Sequence, residues 1–105
     1  MKCLSIRINP KSDLGNQLER FVELSKSLGR YPEIDYEDNG IVYLNYFSER
    51  LPELWRDLRE GIFEHTEIGT WVRAVCEVVC EGEAGWHEAL LLYHYDKNEQ
   101  LDSLD

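Results

Sequence analysis

No run of about eighteen apolar residues occurs in the chain, so it offers no candidate for a membrane-crossing helix. Its 105 residues contain no G-x-G-x-x-G, no P-loop, no H-E-x-x-H and no G-x-S-x-G. The signatures of dinucleotide binding, phosphate cradling, zinc proteolysis and serine hydrolysis are therefore missing. With only three cysteines there is no paired disulfide framework. Cys76 and Cys80, placed on one strand, stand roughly 13 Å apart at about 3.3 Å per residue, too far for a bridge or a shared zinc. They read as small buried thiols. The opening MKCLSIRINP is too short and too polar for a secretory core, and the expected compartment is the cytoplasm.

Basic residues are also scarce, and unevenly so. The net charge is −10. Residues 1–30 hold six basic and three acidic side chains, whereas residues 31–105 hold five and eighteen. Such a surface repels nucleic-acid backbone and anionic lipid and attracts a basic protein. The tryptophans and tyrosines suggest a base-stacking sheet face, but that platform needs cations around its rings. Neither nucleic acid nor membrane is expected as a partner.

What is present is one domain's worth of alternating and helical patterning. Lys2 to Ile8 alternates, with Leu4, Ile6 and Ile8 on one side. Asn9-Pro10-Lys11-Ser12 breaks the strand. Ser12 or Asp13 is placed to cap a helix over about 13–28, whose stripe is Leu14, Leu18, Phe21, Val22 and Leu28. Gly29 stands where a left-handed residue closes a helix. Glu33 to Tyr36 and Ile41 to Phe47 form a hairpin around Asn39-Gly40. Pro52 and Glu53 open a second helix carrying Leu51, Leu54, Trp55, Leu58 and Ile62, with Gly61 as its stop.

Thr70 to Asp96 then reads as a long hairpin. Val72, Ala74, Cys76, Val78 and Cys80 share an apolar face; Trp71, Arg73, Val75, Glu77, Val79 and Glu81 share the other. A turn pairing Glu81 with Trp86 puts Glu88, Leu90, Leu92 and His94 on that second face. Residues 97–105 read as a flexible acidic tail after a single α+β domain over 1–96. The order β-α-β-β-α-β-β predicts a two-layer, ferredoxin-like βαββαβ sandwich with an added C-terminal strand. Its mainly antiparallel sheet would run 5-4-1-3-2, with two helices on one face. Two separate hairpin sheets are the alternative.

No residue pattern stands out as a catalytic signature, and an enzymatic role is the less expected one. Glu64, His65 and Glu67 are too local for a metal set, and neither a metal nor another cofactor is expected. His87 and His94 read as structural histidines, and Glu77 with Glu88 as solvated carboxylates. The expected role is a small acidic, non-enzymatic interaction module. One version is an inhibitor or immunity-type protein for a basic partner, contacted through Glu33, Asp35, Glu37 and Asp38. A second surface is the sheet face opposite the helices. There Trp71, Val75, Glu77, Trp86, Leu90, Leu92 and His94 would form a self-association patch or pocket. The competing reading is a small-ligand-binding or enzymatic dimer with its pocket on that face.

Overall fold

The computed structural model describes residues 1–9 and 16–104. The turn at Pro10, both proposed caps and Leu14 lie outside the described residues. β1 (Lys2–Ile8) buries Leu4, Ile6 and Ile8, as its alternation predicts. α1 (Gln17–Ser27) buries Phe21 and Val22, and Gly29 follows it with φ 82°. β2 (Glu33–Tyr36) and β3 (Val42–Ser48) are joined by a turn in which the Gly40 N–H donates to the Glu37 carbonyl. The Asn39 side-chain oxygen accepts from the Ile41 N–H at 3.0 Å.

α2 (Leu51–Leu58) does not stop at Gly61. It runs on into a π-helical turn, Arg59–Phe63. A Cβ on Gly61 would come within 2.7 Å of the Leu28 side chain, so this glycine admits the end of α1 and does not close a helix.

A third helix follows, α3 (Glu67–Val75). This corrects the sequence reading, which placed Thr70 to Val75 in a strand. Two signals explain it. Ile68, Trp71, Val72 and Val75 stand at i, i+3, i+4 and i+7, which is also a helical stripe. Thr66 then decides between the two periods. Its backbone is extended, its hydroxyl accepts from the Gly69 N–H at 2.8 Å, and it donates to the Ile62 carbonyl at 2.8 Å.

The strand alternation holds from Cys76 onward. β4 (Cys76–Gly82) turns Cys76, Val78 and Cys80 into the core. β5 (Gly85–His94) returns through Glu83 and Ala84, with Gly82 opposite Gly85 at φ 83°. Register shifts fall between Cys80 and Gly82 and between Val78 and Val79. They set Cys80 against Leu90, Val79 against Leu91, Val78 against Tyr93 and Glu77 against His94. Leu92 is the extra residue at the second shift, and it is buried.

The fold is α+β: one antiparallel sheet in the order β2-β3-β1-β4-β5. Counted from the other edge the order is 5-4-1-3-2. Leu4, Ile6, Leu44, Tyr46 and Val78 meet Phe21, Leu54, Leu58, Ile62, Phe63 and Val72 in one core between sheet and helices. Among the described residues there are three helices where two were expected, because the long hairpin gives up its first six residues. The tail expected to be flexible runs back along β5. Asp102 and Leu91 exchange two bonds: the Asp102 N–H donates to the Leu91 carbonyl at 2.7 Å, and the Leu91 N–H donates to the Asp102 carboxylate at 2.8 Å. Leu104 packs against the core. No helix among the described residues is long and apolar enough to cross a membrane.

Candidate functional site

Strand pairing builds the sheet face away from the helices row by row. One row reads Asp35, Tyr43, Arg7, Glu77, His94; the next reads Glu33, Asn45, Ser5, Val79, Leu91. The first row is linked by side chains from Tyr43 to His94. The Arg7 guanidinium lies 5.1 Å from the centre of the Tyr43 ring and donates to the Glu77 carboxylate. The other Glu77 oxygen lies 3.2 Å from His94 Nε2. His94 Nδ1 accepts from the Asp96 N–H at 2.9 Å, which leaves the proton of a neutral ring on Nε2, facing Glu77. Asn45 joins the rows: its amide donates to Asp35 at 2.8 Å and its oxygen accepts from the Ser5 hydroxyl at 2.8 Å.

This face is a polar network, not the apolar patch expected. Leu92 lies in the core, and Leu90 packs against it opposite Cys80. Trp71 and Val75 belong to α3 and also pack against the core. The two register shifts and the cap at Thr66 are the physical reasons. Glu77 and His94 remain on the face and are brought together. Trp86 stands apart near the hairpin turn, half exposed. Arg73, expected to share that sheet face with His94, is on α3 instead. A small cleft of about 200 Å³ opens at the end of β1 between Arg7, Glu77, Val75 and Tyr95. It falls below the usual range of small-molecule pockets, about 300–1,000 Å³.

The acidic hairpin stands where its sequence placed it, and its setting is more specific than the sequence could say. β2 is one of the two edges of the sheet, and all four of its residues are exposed. Glu33 and Asp35 project on the polar face, and Glu37 and Asp38 continue into the turn. Tyr31 and Tyr36 flank them at 68% and 72% exposure. Aromatic rings beside charges are the composition in which binding hot spots concentrate.

Sequence reasoning missed a larger feature on the opposite side. A cleft of about 500 Å³ lies between α2, the π turn, α3, β5 and the returning tail. Arg56, Arg59, Arg73 and Lys97 line it, with Trp55, Phe63 and Tyr93 among its walls. The Tyr93 hydroxyl donates to the Arg73 carbonyl at 2.6 Å, and the Lys97 ammonium lies 4.9 Å from the centre of the Tyr93 ring. No spacing pattern signals this set, because it comes from four separate elements.

Among the described residues no three metal-ligating side chains converge, and Glu64 pairs with Arg59 instead of His65. Cys3, Cys76 and Cys80 are free and buried. Burial pushes the Cys3 and Cys80 thiols up to about 11, with Glu81 adding to the effect at Cys3, and pushes Cys76 higher still. A nucleophilic thiol needs the opposite shift. Comparison with protein-family models, with curated proteins and with solved structures returns no match for this chain.

Proposed function

We propose that the protein is a non-enzymatic interaction module that binds a basic protein along its β2 edge, in the manner of an inhibitor or immunity-type protein. The observation that carries this is the coincidence of three properties on one short strand. It is a sheet edge, it holds Glu33 and Asp35 and leads into Glu37 and Asp38, and it is flanked by exposed Tyr31 and Tyr36. An edge strand offers main-chain donors and acceptors to an incoming strand. Carboxylates beside it steer a cationic partner and speed its arrival. At the finer level, we read the sheet as a split βαβ, ferredoxin-like plan lengthened by β5 and with a third helix between its third and fourth strands. The pocketed-dimer reading has less support because Leu90 and Leu92, two of its apolar members, turn to the core.

The test compares the wild type with a variant carrying Glu33→Gln, Asp35→Asn, Glu37→Gln and Asp38→Asn. Each bait is used for capture from native cytosol at low and high salt. The expected result is one basic protein recovered by the wild type, lost at high salt and lost in the variant. Capture that the four amides leave unchanged would remove the β2 edge as the docking site.

A further inference from the structure

We propose that the 500 Å³ cleft beside the tail is a binding site for a small organic anion, a phosphate or carboxylate group carried on a flat apolar body. The site is independent of the acidic edge and goes beyond the docking role. Residues 31–105 hold only five basic side chains against eighteen acidic ones, and four of those five, Arg56, Arg59, Arg73 and Lys97, line this one cleft. Placing like charges together raises the energy of each, and a bound anion removes that cost.

The chain's own carboxylates do not meet this demand. Glu53 stands 3.8 Å from Arg56, and Glu64 stands 3.8 Å from Arg59. Both contacts are at the limit of an ion pair and exposed to solvent, where such pairs contribute little. Asp102, the other acid lining the cleft, is occupied with the Leu91 N–H. Among the described residues neither Arg73 nor Lys97 has a carboxylate at ion-pair distance. Guanidinium groups suit the planar oxygens of phosphate and carboxylate. Trp55 and Tyr93 give the rest of the ligand a ring to lie against. The volume matches a ligand of metabolite size. The π turn that carries Arg59 is of a kind found often where helices serve a site.

The experiment is calorimetric titration of the full chain with four probes: phenyl phosphate, benzoate, inorganic phosphate and phenol. Saturable binding is expected for phenyl phosphate or benzoate, weaker binding for inorganic phosphate, and none for phenol. The double variant Arg59→Gln, Lys97→Gln should lose about tenfold or more in affinity, the worth of one to two charge-assisted bonds. Lys97→Arg, which keeps the charge on an exposed side chain, should retain binding. Arg20→Gln with Lys26→Gln, on α1, should change nothing. Absence of saturable binding by both ring-bearing anions would overturn the proposal. So would affinity that the double variant leaves intact, or an equal loss in the α1 control. Inorganic phosphate binding as tightly as phenyl phosphate would overturn the part assigned to the aromatic wall.

Discussion

Cys3 and Cys80 sit on neighbouring strands but on opposite faces. Cys3 lies beneath the polar surface opposite Phe47, and Cys80 lies in the core opposite Leu4. Both thiols are raised from 9.0 to about 11 by burial. A group whose folded pKa lies above its unfolded value supports the fold below the unfolded value and loses that support as pH climbs through the folded one. These thiols therefore favour the folded state up to about pH 9, and stability should fall between about pH 9 and 11. At pH 8 a disulfide reagent should find no rapidly reacting thiol in the native protein and three after unfolding in guanidinium. A thiol titrating at once in the native protein would show that one of these side chains reaches solvent.

At the scale of the element, the junction between the π turn and α3 governs the fold. A Cβ on Gly69 would lie 2.0 Å from the Ile62 carbonyl oxygen, a backbone atom that cannot step aside. Gly69→Ala should cost about 1–3 kcal/mol, the usual range for overpacking. Thr66→Ala should cost about 0.5–2 kcal/mol through loss of the cap. Urea unfolding of both variants checks this. Wild-type stability in Gly69→Ala would mean that α3 does not start against the π turn. The same junction shows what the sequence could and could not reveal. β1, β3, α1 and the Asn39-Gly40 turn were legible because each depends on one local period or one turn dipeptide. Residues 68–75 carry two periods at once, and Thr66 arbitrates through a contact with Ile62 that no window of alternating residues contains. The hairpin register failed for a related reason: two shifts in β5 move Leu90 and Leu92 inward, and no single residue announces either.

At the scale of the whole molecule, two local concentrations of charge stand apart. Carboxylates stand along the β2 edge, and cations gather in the cleft by the tail. The acidic edge was visible in the sequence as a cluster; the basic cleft was not, because its four cations come together only through folding. The face away from the helices is closed by the Arg7–Glu77–His94 network and holds few exposed apolar side chains, with Phe47 its clearest example. Sedimentation of the wild type is expected to give a monomer over a wide range of concentration and salt. A dimer that persists at low concentration would restore the polar face as a self-contact.

The two borders of the sheet have different fates. At β5 the returning tail is already stitched to Leu91, so a newcomer there must first displace it. At β2 no described segment intervenes. Growth by strand addition requires an accepting border on each side; with the tail bonded along one of them, copies of this molecule joined in that way are expected to halt as a pair. Even that pair brings two strands holding Glu33 and Asp35 side by side, whereas a strand bearing lysine or arginine meets no such resistance. Charge at this border thus opposes a second copy and favours a cationic strand.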